Sequence, residues 1–145
     1  MAVTLGSQCG TGTPARVQEK GVFNVTETWD ASAMPENDIY MVAKVAPGVT
    51  VVGGFAGYDA LGANTSALLG LYSNSTGTAV DEDCFITNTA TTSAGITNFN
   101  GSISTSWRND STSDYYVGYV QNDTGTATGT IKVSVNMTRE TTDQT

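Results

Sequence analysis

The chain has 145 residues, a formal net charge of −8 and no histidine. A chain of this length fits one domain with a single core, and its acidity argues against a nucleic-acid partner, because phosphate contacts need clustered lysine and arginine. The lack of histidine excludes Ser-His-Asp and Cys-His catalytic sites.

The first 20 residues predict an extended N-terminal arm. They are rich in glycine, serine and threonine, and Pro14 interrupts any regular element. They lack the charged start and the long apolar run of a signal peptide, and no segment has the ~20 apolar residues of a membrane-spanning helix. We therefore expect a protein without a membrane partner, made in the cytoplasm or already freed of a signal.

The core is predicted to begin at Gly21, where apolar and polar residues start to alternate. Phe23, Val25, Glu27 and Trp29 fall on one face of this segment, which is the period of a half-buried strand. Further strands are predicted at residues 39–45, 49–55, 67–73, 79–86, 103–107, 115–120 and 130–137.

Turn residues separate these strands. Pro47-Gly48 and the segment 74–77 are typical turns, and Asn122-Asp123-Thr124-Gly125 predicts a hairpin. The polar segment 87–93 predicts a loop with short strands. About eight short strands without helical periodicity indicate an all-β fold, an antiparallel β-sandwich of jelly-roll type, with a closed barrel as the alternative. The sandwich is predicted to cover residues 21–138, and a polar C-terminal tail residues 139–145.

The two cysteines, Cys9 and Cys84, form no recognisable disulfide framework. A bond between them would close a long loop and stabilise the fold by roughly 4 kcal/mol, so their pairing stays open. We favour two free thiols, with Cys84 in the core.

Carboxylates are the remaining candidates for catalysis or metal binding. Two carboxylates suffice for glycoside hydrolysis, and Glu27, Asp30, Asp59 or the run 81–83 would supply them, but a small threonine-rich sandwich makes an enzyme the least favoured interpretation. Asp81 and Asp83 share one strand face and offer oxygens suited to Ca²⁺. Because the run lacks the glycine and downstream glutamate of an EF-hand loop, we favour a solvated strand end and predict no cofactor, metal or catalytic site.

Aromatic side chains are candidates for glycan contacts. Most of them fall at strand positions and are predicted to pack in the core. Trp107 and Tyr116 are the two for which we consider surface ligand contacts, so a glycan-binding module stays an alternative function.

Five segments in the first 90 residues resemble, in their order and spacing, the head decoration proteins of tailed bacteriophages. The segments are Glu36–Met41, Val45–Val52, Ala60–Gly62, Gly70–Ser73 and Ala79–Asp83. The resemblance implies a non-enzymatic β-sandwich on the outer capsid surface of the virion, often a trimer, that binds the major capsid protein and stabilises contacts between its subunits. Beyond residue 90 the chain also resembles sandwich domains appended to secreted proteases, which is a second alternative.

In a decoration protein, the arm would extend the reach of the sandwich. Twenty residues at ~3.3 Å each are long enough to cross a subunit boundary. Val3, Leu5 and Val17 are the predicted apolar anchors, and Arg16 and Lys20 the predicted partners of capsid carboxylates.

Overall fold

The computed structural model describes residues 1–6, 9, 21–101 and 106–139. Except at Cys9, the regular secondary structure in these ranges is β. The strands are β1 (Val3–Leu5), β2 (Gly21–Met34), β3 (Ile39–Val45), β4 (Val49–Tyr58), β5 (Ser66–Tyr72), β6 (Ala79–Ala90), β7 (Gly95–Asn98), β8 (Trp107–Arg108), β9 (Tyr115–Gln121) and β10 (Ala127–Arg139).

The strands form two sheets. The first sheet has the order β1-β3-β9-β5-β6 and the second has the order β2-β10-β4-β7, with β8 also paired to β4. A continuous main core lies between them, because fully buried side chains of both sheets belong to one cluster. The expected β-sandwich is thus confirmed. Its central residues are Val42, Leu69 and Tyr119 from the first sheet, and Val51, Val133 and Val135 from the second.

The strand order follows a nested pattern. Apart from β1 and β8, the strands of the described ranges pair first with last (β2–β10), second with seventh (β3–β9), third with sixth (β4–β7) and fourth with fifth (β5–β6). Alternate pairs then join into the two sheets. Two Greek keys nested in this way have the pairing of a jelly roll.

Alternation of side chains sets the register of each sheet. On β2, Val25 and Glu27 are buried while Asn24, Thr26 and Thr28 are exposed, as the sequence pattern predicts. Burial of one face fixes the register strongly, because a slip of one residue would turn the whole apolar face toward solvent.

The predicted hairpin at Asn122–Gly125 is wrong. β9 and β10 belong to different sheets, so this turn carries the chain across the sandwich. The buried Gln121 amide stabilises the crossing, because its Nε2 donates to the carbonyls of Asp123 (2.8 Å) and Gly125 (2.6 Å), and its Oε1 accepts the Ser66 N–H.

Several strand boundaries also differ from the sequence prediction. β6 continues without a break through Thr87–Ala90, which was predicted as a loop with short strands, because alternating threonines can pair with β5 while facing solvent. β2 continues to Met34, and β10 includes Arg139. Of the predicted strand 103–107, the structure describes Ser106, which lies outside the strands, and Trp107, which lies in β8.

A wide bulge in β6 explains the Gly70-Leu71-Tyr72 and Val80-Asp81-Glu82-Asp83 segments. In β5 Leu69 pairs with Ile86 and Leu71 with Asp81, so four residues of β6 lie opposite Gly70 alone. The extra residues carry Cys84 and Phe85 into the main core and leave Asp81–Asp83 exposed. A Cβ on residue 70 would lie 2.2 Å from the Glu82 carbonyl carbon, so only glycine fits beneath the bulge.

We expect Gly70→Ala to lower the free energy of unfolding by at least about 2 kcal/mol, because the added methyl overlaps backbone atoms that a side-chain rotation does not move. Urea unfolding measures the change. Gly57→Ala in β4 is the matched control, since its Cβ would come no closer than 3.7 Å to the Ile96 side chain. Equal stability of the two variants would contradict the packing described for the bulge.

Candidate binding surface

The N-terminal segment lies on the first sheet. β1 runs parallel to β3, with Val3 opposite Ile39 and Leu5 opposite Met41. The Gly6 N–H donates to the Met41 carbonyl at 2.7 Å and so extends this pairing by one residue. Residues 1–6, which the sequence assigned to an extended arm, therefore pack on the sandwich as an edge strand of its first sheet.

Cys9 attaches the same segment to the outer face of this sheet. It is 3% exposed, and its thiol donates to the Met41 carbonyl at 3.6 Å. It belongs to a second apolar group, the outer cluster, which lies on the side of the sheet away from the main core. The outer cluster consists of Cys9, Ile39, Met41, Leu68, Tyr72 and Val120, with Val3 and Tyr116 packed against it.

The predicted arm anchors have different environments. Val3 is half-buried against the outer cluster of its own chain, whereas Leu5 is 42% exposed and Met1 is 74% exposed. Arg16, Val17 and Lys20 lie outside the described residues. Among the described part of the arm, Leu5 is thus the predicted anchor that remains open to a partner.

The two predicted glycan contacts do not share a face. Trp107 lies 5.3 Å from Tyr115 between ring centroids, and both pack against the main core. Tyr116, the next residue along β9, packs instead against the outer cluster. Neighbouring residues of a strand face opposite sides, so Trp107 and Tyr116 do not form one aromatic platform.

The carboxylates proposed for catalysis have structural partners. Asp30 Oδ1 accepts the Thr130 hydroxyl at 2.8 Å, and Asp59 Oδ2 accepts the Thr130 N–H at 3.0 Å, so both tie β10 to its neighbours. Glu27 is 6% exposed and lies beside Gly6. The Cδ atom of Glu27 is only 2.9 Å from the position that a Cβ on residue 6 would occupy. These contacts position strands and the N-terminal segment.

The acidic run at the bulge is exposed. A hydrogen bond with Asp81 raises the pKa of Asp83 above its usual value. Among the described residues, no group of three or more His, Cys, Asp or Glu side chains is arranged to hold a metal ion. The arrangement fits a solvated strand end.

The outer face of the second sheet carries a hydrogen-bonded polar group on β2 and β10, beside the exposed apolar side chains of Val22 and Ile96. The Asn24 amide on β2 donates to the Ser134 hydroxyl (2.6 Å) and to Asn136 Oδ1 (2.8 Å) on β10, and the Thr26 hydroxyl also contacts Ser134. This polar group contrasts with the first sheet, whose outer face carries the buried apolar cluster beneath the N-terminal segment.

Both cysteines are free and buried, in different clusters. Burial, and next the negative charge of Glu27, raise the pKa of the Cys9 thiol to about 12, and burial with the charge of Asp81 raises that of Cys84 to about 12. Protonated, enclosed thiols react slowly, because the thiolate is the nucleophile.

We expect neither thiol to react with Ellman's reagent in the folded chain near pH 8, and both to react in urea.

The folded state holds the thiol protons more tightly than the unfolded state, so their contribution to stability is complete below pH 9 and is lost as the pH rises toward 12. Urea unfolding across this range measures the loss. A Cys9→Ala, Cys84→Ala variant should show a shallower alkaline decline, and an unchanged slope would contradict this account.

No part of the chain that the structure describes forms a helix long and apolar enough to cross a membrane. No protein-family model matches the chain, and no curated protein matches it in sequence.

Two solved phage capsids contain chains with this fold. A chain of the capsid of Ralstonia phage GP4 superposes with a TM-score of 0.65 at 15% identity, over 97% of this chain and 100% of that chain. A chain of the cyanophage Pam1 capsid asymmetric unit superposes with a TM-score of 0.63 at 15% identity, over 92% of this chain and 96% of that chain. At this identity the likeness shows a shared fold, and its source in phage capsids agrees with the resemblance found in the sequence.

Proposed function

We propose that this chain is a structural, non-enzymatic virion protein that binds the outer surface of a phage capsid and stabilises contacts between major capsid subunits. The observation that carries the proposal is the fold match to a chain of the GP4 capsid over nearly the whole of both chains. The resemblance of the segments between Glu36 and Asp83 to head decoration proteins supports it independently of the structure.

The sheet surfaces indicate how such a protein would dock. On the outer face of the second sheet, polar side chains of β2 and β10 bond to one another, and Val22 and Ile96 are exposed apolar residues outside this group. The first sheet carries the N-terminal segment, with Leu5 and Met1 exposed beside the covered outer cluster. The edge formed by β1 is therefore the side that we assign to the capsid.

The first 20 residues provide the second part of the contact. Arg16 and Lys20 are two of the six basic residues in a chain of net charge −8, and we assign them to carboxylates of the major capsid protein, with Val17 as an apolar anchor. A trimer would present three such arms together. Because shells repeat the same site many times, modest contacts give high avidity.

Charge reversal in the arm tests this assignment. We expect Arg16→Glu, Lys20→Glu to reduce co-sedimentation with shells of the same phage's major capsid protein by about tenfold, since each changed charge would repel a carboxylate. Arg108→Glu, Lys132→Glu is the charge-matched control on the second sheet, where both residues lie on strands and are exposed. Equal loss in both variants would indicate a general charge effect and refute the role of the arm. Failure of the wild-type chain to bind would refute the proposed function.

Leu5 permits a test of the apolar contact. Deleting the arm is unsuitable because it would also remove Val3 and Cys9 from the outer cluster. We expect Leu5→Ser to weaken shell binding several-fold with little change in stability, because the side chain is already 42% exposed. Ile96→Ser is the control, since Ile96 is 72% exposed on β7 of the other sheet. If the Leu5→Ser variant binds shells as well as the wild-type chain, Leu5 is not part of the interface.

A further inference from the structure

A cavity of about 270 Å³ opens where the edges of the two sheets meet, and we call it the corner cavity. Its wall includes β2 from Trp29 to Met34, the following Pro35, the start of β3 from Asp38 to Tyr40, and Thr4 of β1. The cavity is far larger than the ~30 Å³ that one water molecule occupies in the liquid. It therefore has room for a side chain of a partner.

Aromatic rings form one part of the wall. Trp29 and Tyr40 are stacked with ring centroids 3.8 Å apart and an interplanar angle of 2°. Tyr119, fully buried in the main core, meets Trp29 at 81° with a centroid distance of 5.4 Å. The indole is thus held in place from within the core, so the wall is preformed before any partner arrives.

Carboxylates form another part of the wall. Asp30 and Asp38 line the cavity, and no lysine or arginine does so among the described residues. Each carboxylate is fixed through its Oδ1, in Asp30 by the Thr130 hydroxyl and in Asp38 by the Ala2 N–H at 2.9 Å. The Oδ2 of each accepts no hydrogen bond from the described residues, so it remains available to a donor.

We propose that the corner cavity binds an arginine side chain of the capsid subunit that the proposed function names as partner, and this inference rests on that function. A guanidinium is planar, stacks on aromatic rings and donates paired hydrogen bonds to a carboxylate. Trp29, Tyr40 and Asp38 line the same cavity and fit this chemistry, since an aromatic ring attracts a cation. Asp30 faces the opposite side of β2 from Trp29, where it bonds to Thr130, and adds negative charge to the cavity wall from that side. The negative charge of the chain as a whole complements a basic partner residue.

The cavity is testable without the capsid. In a Trp107→Phe variant Trp29 is the single tryptophan, and we expect N-acetyl-arginine amide to change its fluorescence saturably, whereas the uncharged isostere N-acetyl-citrulline amide does not. Calorimetric titration of the wild-type chain with both amides gives the same comparison without that substitution. An equal response to the two amides, or no response to either, would overturn the proposal.

Single carboxylate variants locate the binding. Asp38→Asn should lower the affinity for the arginine amide about tenfold, because the charge is lost while an oxygen remains to accept the Ala2 N–H. Asp59→Asn is the matched control, since Asp59 also accepts a backbone N–H but does not line the cavity. Equal affinities of these two variants would overturn the assignment to this cavity.

Shell binding then tests the source of the arginine. Asp30→Asn, Asp38→Asn should reduce co-sedimentation with shells about tenfold relative to Asp59→Asn. If wild type and the double variant bind shells equally well, the arginine is not from the capsid subunit and the proposal fails while the proposed function stands. If the wild-type chain does not bind shells at all, the proposed function fails, and with it the capsid source of the arginine.

Discussion

Strand β10 is the element on which the fold depends, because it lies between β2 and β4 and joins the two ends of the domain. It supplies Ile131, Val133, Val135 and Met137 to the main core, each at most 1% exposed. Its partner β2 begins at Gly21, directly opposite Arg139. The sandwich therefore closes only when the last strand has paired with the first, and such distant contacts form late and with a high loss of chain entropy.

This closure determines where the ends of the chain leave the sandwich. Since Gly21 pairs with Arg139, the segment before β2 and the segment after β10 start at one end of the second sheet. β1, however, lies at the edge of the first sheet. The chain therefore passes from an edge strand of one sheet, β1, to an edge strand of the other, β2. The first residues of the N-terminal segment are therefore part of the sandwich, and its later residues are the candidate capsid contact.

The sequence predicted those strands in which one face is buried. Alternation located β3 to the residue and β2 and β10 to within a few residues, because a half-buried strand imposes a period of two. It did not distinguish a hairpin from a crossing at Asn122–Gly125, since both need the same turn residues and only the sheet of the next strand separates them. The β6 bulge was also missed, because its four extra residues show no pattern until Gly70 is seen beneath them.

The candidate site was less predictable than the fold for a related reason. The sequence shows Val3 and Leu5 as equivalent apolar residues of the arm, yet Val3 packs against the outer cluster whereas Leu5 is 42% exposed. Trp29 and Tyr40 each read as ordinary strand residues. Their stacking is a contact between two sheets, and no periodicity along one strand encodes it.

The N-terminal segment and the corner cavity are mechanically connected. The Ala2 N–H donates to Asp38, and Thr4 of β1 lines the cavity, so docking of β1 on β3 both orients a carboxylate and completes the wall. The same segment covers the outer cluster through Cys9 and Val3. A partner that held β1 in place would therefore stabilise the wall of the cavity, and occupation of the cavity would in turn favour the docked segment, because linked binding events are reciprocal. Two weak contacts on one side of a small sandwich would then reinforce each other at every site of a repeating shell.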